Sequence, residues 1–215
     1  MRRRTIVMLG FPASGKGTQA EILAQRFGAR ILGVGDLVRA EMKHGKDRKI
    51  VAKVKENYDR GIPQEDPIIE NLVDQAVKKS PASIIFDNFP FSESQIIFFE
   101  KLLKKYHLPQ PEVIYIKISQ ETAVKRISSR RICDKCGEIY LSGNIGDSCQ
   151  KCPGKLILRD DDKPDVVRER LAHAEPRIEM VTSHFQKKGW PVYEIDGEPS
   201  IDKVTKQINQ KLNVE

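Results

Sequence analysis

An apolar run, Thr5 to Leu9, leads directly into Gly10-Phe11-Pro12-Ala13-Ser14-Gly15-Lys16-Gly17-Thr18. This junction constrains the fold more than any other part of the chain. A short apolar stretch reads as a buried strand, and the residues from Lys16 onward favour a helix. The spacing G-x-x-x-x-G-K is that of a phosphate cradle. Its glycines let the backbone curl so that N–H groups point inward, the helix N-terminus adds positive potential, and Lys16 can reach outer phosphates. Gly10, Pro12, Ala13, Ser14, Gly15, Lys16, Gly17 and Thr18 are therefore candidate ligands of a nucleoside triphosphate. The hydroxyl residue comes one place later than in the usual pattern, as G-K-G-T. An empty glycine-rich turn is the bland alternative, and the strand, the spacing and the lysine together count against it.

The rest of the chain alternates in the same way. Thr5–Leu9, Ala82–Phe86, Val113–Ile118 and Val192–Ile195 read as strands buried on both faces, with Arg30–Leu32 a weaker fifth. Helices are predicted at Lys16–Phe27, Asp36–His44, Lys49–Arg60, Pro67–Lys79, Ser92–Tyr106, Gln120–Arg131, Pro164–Lys188 and Ser200–Leu212. Strands alternating with helices predict an α/β fold, a parallel sheet of about five strands with helices on both faces. Ligands of such sheets gather at the carboxyl ends of the strands. Ser92 with Gln95 resembles a capping box, and Gly28 and Gly189 stand where helix C-caps would.

The 215 residues allow one compact body with inserts. No apolar run approaches the roughly 18 residues of a membrane span. The basic start Met1-Arg2-Arg3-Arg4 precedes too short an apolar stretch for a signal peptide, so a cytoplasmic protein is expected. A net charge of +7 makes anionic partners plausible, although several lysines (Lys78, Lys79, Lys104, Lys105, Lys187 and Lys188) sit near predicted helix ends, where they favour the dipole.

From about Ile132 to Asp162 the periodicity stops and all four cysteines appear. Cys133-x-x-Cys136 and Cys149-x-x-Cys152 are two knuckles separated by twelve residues. Two such pairs read as a closed four-cysteine site for structural Zn2+, with no open position for chemistry. Disulfides, a redox dithiol and an iron centre on the same thiolates are the alternatives.

Charged residues complete the picture. Arg126 and Arg130 are four apart on a predicted helix and so share one face. Arg159 follows the cysteine segment, and Arg170 lies on the next helix. The bland reading of each is an ion pair, for which Asp160 to Asp162 offer partners. Asp87 ends an apolar strand at the ligand edge, where a carboxylate suits hydrated Mg2+. Asp36 could share that role or bond loop N–H groups. His44, His107, His173 and His184 match no catalytic spacing, and Trp190 reads as packing.

The run Gly10 to Ala20 resembles the adenylate kinase family. So do Gly35-Asp36-Leu37-Val38-Arg39, Asp87-Asn88-Phe89-Pro90, Gln95, Arg126-Ile127-x-x-Arg130-Arg131, Arg159-Asp160-Asp161-Asp162 and Arg168-Glu169-Arg170-Leu171, in the family's order over nearly the whole chain. The resemblance implies phosphoryl transfer from Mg-ATP to AMP giving two ADP. It implies that Lys16, Arg126, Arg130, Arg159 and Arg170 surround the phosphates, with Asp87 beside them and Pro199 on the donor side. Val34, Gly35, Arg39, Gln64, Asn88, Phe91, Gln95, Arg159 and Arg170 would hold AMP. The implied division is a core of 1–32, 65–130 and 164–215, a monophosphate-binding insert at 33–64 and a four-cysteine lid at 131–163. Members of this length are often monomers.

The acceptor side departs from the family. Where Asp-Gly-Phe-Pro-Arg-Thr is usual, this chain has Asp87-Asn88-Phe89-Pro90-Phe91-Ser92, so the arginine that grips the acceptor phosphate is replaced by Phe91. Val34 stands where Thr is usual, and Gly61-Ile62-Pro63-Gln64 departs from the monophosphate segment. Arg39 and Gln95 still favour AMP. Two readings of Phe91 follow: another basic group compensates, or the acceptor has changed to a monophosphate such as CMP or UMP. A nucleotide- or RNA-binding protein with reduced turnover is the alternative from another class. The cysteine segment argues against nucleic acid, offering only Tyr140 for base stacking.

Overall fold

A computed structural model describes residues 3–80 and 83–214, without the side chain of Asp160. In chain order the elements are β1 (Thr5–Gly10), α1 (Lys16–Phe27), β2 (Arg30–Gly33), α2 (Val34–His44), α3 (Arg48–Arg60), α4 (Asp66–Lys78), β3 (Ile84–Asp87), α5 (Glu93–Lys105), β4 (Glu112–Lys117) and α6 (Gln120–Ser129). Then follow β5 (Arg131–Cys133), β6 (Ile139–Tyr140), β7 (Leu156–Ile157), a 3-10 turn (Asp160–Asp162), α7 (Pro164–Lys187), β8 (Val192–Asp196) and α8 (Ile201–Lys211). The third strand was expected from Ala82, which lies outside the described residues, as do Met1 and Arg2 of the basic start.

Five strands form one parallel sheet in the order β2-β3-β1-β4-β8. β1 is central, and all six of its residues are buried. Side chains alternate across a strand. Val7 and Leu9 accordingly join the core beneath α5 and α7, with Phe99, Val181 and Phe185. Ile6 and Met8 join the opposite core with Leu23 of α1 and Ile208 of α8. A strand buried on both faces needs no polar alternation, and this explains its continuous apolar sequence. Trp190 stacks on Phe185 with centroids 4.9 Å apart, a packing role as expected.

Three local expectations change. The helix predicted to Arg131 ends at Ser129, because Arg130 takes an extended conformation and Arg131 begins β5. Arg126 and Arg130 therefore do not share a helix face. The cysteine segment builds a three-stranded antiparallel sheet of its own, in the order β6-β5-β7, which spacing alone did not reveal. The capping box at Ser92 is half formed. Ser92 Oγ accepts from the Gln95 backbone N–H at 3.1 Å, but the Gln95 amide turns away to accept from the Phe91 N–H at 2.8 Å.

Gly28 caps α1 in the left-handed conformation, and Gly189 stands just past α7 with a φ of +71°. No described helix is long and apolar enough to cross a membrane.

Candidate active site

A cavity of about 830 Å3 opens at the carboxyl ends of β1, β2 and β3. Each strand delivers one component to it: the Gly10 loop, the Val34 turn, and Asp87. At Gly10 the backbone has a φ of +149°. A Cβ there would meet the Ile116 carbonyl oxygen at 2.5 Å and Ser14 Oγ at 2.7 Å, so only glycine fits. The loop then passes through left-handed turns at Ala13 and Gly15 before α1 begins at Lys16. Positive φ at a non-glycine residue is strain held by its surroundings, and here it lies in the cavity wall.

Lys16 and Asp87 form the charged centre. Lys16 donates to the Phe11 carbonyl at 3.0 Å. It keeps part of its surface open to the cavity, but protein atoms crowd its ammonium. Burial lowers its pKa, Asp87 opposes that shift, and Arg170 and Arg130 reinforce it. The Asp87 carboxyl is shifted upward, chiefly by burial, with Lys16 pulling the other way and Asp36 adding to the rise. Asp87 Oδ1 is buried with no hydrogen-bond partner. An unpaired buried carboxylate oxygen is costly in isolation.

Arg126, Arg130, Arg159 and Arg170 line the same cavity. Arg126 donates to the carbonyls of Gly197 (2.9 Å) and Glu198 (3.2 Å). Arg130 makes a buried two-pronged pair with Asp162, its Nε donating to Oδ2 at 2.9 Å. Arg159 is bidentate to Asp161, both bonds 2.9 Å. Arg170 reaches the Asp161 carboxylate at 2.7 Å and the Asp161 carbonyl at 2.8 Å. Asp161 and Asp162 are thus the partners that the ion-pair reading required. Each guanidinium has five donors, so these pairs leave N–H groups for another anion.

The remaining positions divide cleanly. Gly10, Pro12, Ala13, Gly15, Gly17 and Thr18 line the cavity, as do Val34, Gly35, Arg39, Gln64, Asn88, Phe91 and Gln95. Ser14 does not. It is buried within the loop, and its Oγ has no partner. Ser14 and Pro199 line a neighbouring cavity of about 520 Å3, which shares Ala13, Gly15, Thr18, Arg126 and Leu141 with the first. On the acceptor side Arg39 pairs with Asp36 at 2.5 Å. Gln95 is buried and committed within the protein, donating to Asp66 at 2.7 Å. Gln64 donates to the Val54 carbonyl at 3.0 Å while its Oε1 is buried without a partner.

The family model for adenylate kinase matches residues 8–190. Adenylate kinase of Pyrococcus abyssi is 34% identical over 213 residues, which cover 97% of this chain and 95% of that one. Those of Acetivibrio thermocellus (30% identical, 97% of each chain) and Archaeoglobus fulgidus (32%, 96% of this chain and 97% of the other) match at similar extent. The chain belongs to the adenylate kinase family. It is an enzyme of the nucleoside monophosphate kinase class.

In this adenylate kinase family member the four cysteines converge. Their sulfurs lie within 4.8 Å of one another, and all four thiols are free. Cys133 and Cys152 sulfurs are 3.4 Å apart, Cys136 and Cys149 sulfurs 3.6 Å. A tetrahedral Zn2+ with bonds of about 2.3 Å places sulfurs about 3.8 Å apart. Backbone N–H groups of Lys135 and Cys136 point at Cys133 Sγ, and that of Lys151 at Cys149 Sγ. Cys149 is pulled down to about 6, chiefly by the Tyr140 hydroxyl, while Cys152 is pushed up to about 12, chiefly by Cys133. Four thiols this close cannot all ionise without a cation, and a cation is what the cluster fits.

Among the residues lining the cavity that were not foreseen as site residues are three with polar side chains, Tyr58, His173 and Arg177. Tyr58 donates to Asp161 at 3.1 Å. His173 and Arg177 share the face of α7 that carries Arg170, at spacings of three and seven. That period was the one available sequence signal.

Proposed function

We propose that the chain catalyses reversible transfer of the γ-phosphoryl group of Mg-ATP to AMP, giving two ADP. The observation that carries this reading is the single cavity lined together by Gly10, Pro12, Ala13, Gly15, Gly17 and Thr18 of the phosphate loop, by Arg39, Asn88, Phe91 and Gln95, and by Lys16 and Asp87. Phosphoryl transfer leaves a protein little covalent chemistry, so positioning and charge neutralisation do the work. Loop N–H groups and Lys16 would cradle the donor phosphates. Arg126, Arg130, Arg159 and Arg170 would spread positive charge over the transferring group. Arg39 would hold the acceptor.

The unpartnered Asp87 Oδ1 fits a hydrated Mg2+, which when bound would neutralise charge between the β- and γ-phosphates. Asp36, already paired to Arg39, would act only through its field on Asp87. The four thiolates fit a structural Zn2+ that would hold the three-stranded sheet together. In this division residues 1–32, 65–130 and 164–215 form the core, 33–64 the monophosphate-binding insert and 131–163 the lid. Closure of the lid would exclude water from the reacting phosphates. A cytoplasmic monomer acting on free nucleotides is consistent with this reading.

A second reading has a specific basis. Gln95, which would read the adenine edge, already spends its amide on Asp66 and Phe91, and Val34 brings no hydroxyl to the same cavity. CMP or UMP could then be the acceptor. The test is an acceptor panel of AMP, CMP, UMP and GMP with Mg-ATP and metal-loaded protein, reading nucleoside diphosphate. AMP should be the preferred acceptor, and Lys16→Ala should lower the rate about 100- to 1,000-fold. Preference for CMP or UMP would favour the second reading. Binding of ATP or RNA with no diphosphate from any acceptor would sink both in favour of a non-turnover role.

A further inference from the structure

We infer that Arg177 binds the acceptor phosphate, supplying from α7 the positive charge that Phe91 does not provide. The inference rests on the monophosphate-acceptor reading above and adds a residue to it. Arg177 is seven residues beyond Arg170, two helical turns along one face. Arg170, His173, Ala174 and Arg177 all line the cavity along this stripe.

Its position is tied to residue 91 itself. Arg177 Nη1 donates to the Phe91 carbonyl at 3.1 Å, and its guanidinium carbon lies 5.9 Å from the centroid of the Phe91 ring. The aromatic face and the carbonyl together orient the fork. A cation held against residue 91 reaches the space that a cation growing from residue 91 would serve.

Its charge is also uncommitted. Arg39 pairs with Asp36, Arg130 with Asp162, and Arg159 and Arg170 with Asp161. Among the described residues Arg177 makes no ion pair, and its one hydrogen bond goes to a neutral carbonyl. A guanidinium with five donors and one commitment can still grip a phosphate with two parallel bonds. A simple clamp on the Phe91 loop is the competing role, and it predicts different kinetics.

The experiment measures AMP affinity by calorimetry without ATP, together with initial rates, on full-length metal-loaded protein. Arg177→Gln keeps a donor for the Phe91 carbonyl but removes the charge. It should weaken AMP binding and raise the AMP KM about 10- to 100-fold, with the ATP KM within about twofold. Arg177→Lys should fall between, since it keeps the charge and loses the fork. Adding Phe91→Arg to Arg177→Gln should recover much of the lost affinity.

Unchanged AMP affinity in Arg177→Gln overturns the inference. So does an equal rise in both KM values accompanied by a lower melting temperature, the mark of a clamp. If the acceptor panel selects another monophosphate, that one replaces AMP in these measurements. Failure of wild-type protein to use any monophosphate would instead sink the acceptor reading, and this inference with it.

Discussion

Tyr58 on α3 donates its hydroxyl to the carboxylate of Asp161 at 3.1 Å, joining residues 103 positions apart. The same carboxylate holds Arg159 and Arg170, so three cationic or donor groups from three segments meet on one nearly buried aspartate. The joint links the helical segment after β2 to the turn that follows the cysteine sheet.

This joint should respond to acid. Burial by itself would raise the Asp161 pKa, but Arg170 and Arg159 outweigh it and hold the carboxyl below its ordinary 3.8. A depressed carboxylate pKa stabilises the fold fully above the unfolded value and loses that contribution as pH falls through the folded one. Asp161→Asn should therefore cost about 3 kcal/mol at pH 7, because it strips a buried partner from two arginines. The difference from wild type should be flat from pH 7 to 5 and shrink below about pH 4. Urea denaturation across this range is the measurement, and a gap that stays constant to pH 2 would refute the pairing.

Removal of metal should act locally. Elemental analysis of freshly reduced protein should find about one Zn2+ per chain, and a strong chelator should remove it with uptake of protons by the thiolates. Hydrogen exchange should then rise across residues 131–163 while the parallel sheet keeps its protection, since neither core of that sheet includes a residue of this segment. Cys136→Ser should give the same pattern. Metal-free protein with unchanged exchange in this segment would falsify the zinc assignment.

The loop glycines should differ sharply. Gly10→Ala places a Cβ 2.5 Å from a carbonyl oxygen at a φ of +149° and should cost about 2–4 kcal/mol. For a domain of this size that lowers the melting temperature by roughly 2–4 °C per kcal/mol. Gly17→Ala meets nothing within 4 Å and sits in the first turn of α1, so its stability should be unchanged or up to about 1 kcal/mol higher. Calorimetric melting of the two variants checks the contrast, and equal losses would rule out the steric account.

The sequence by itself determined whatever depends on neighbours along the chain. The Gly10–Thr18 loop, the cysteine knuckles and the strand–helix alternation each carry their geometry within a few residues, so spacing alone could be read. It also exposed the replacement at Phe91. Only the tertiary structure decided which groups meet. It turned the chain out of α6 at Arg130 and sent Gln95 to Asp66. It paired Arg130 with Asp162 and Arg170 with Asp161, and laid Arg177 across a residue 86 positions away. The physical reason is that such contacts are selected by packing and charge balance over the whole fold, which no local window contains.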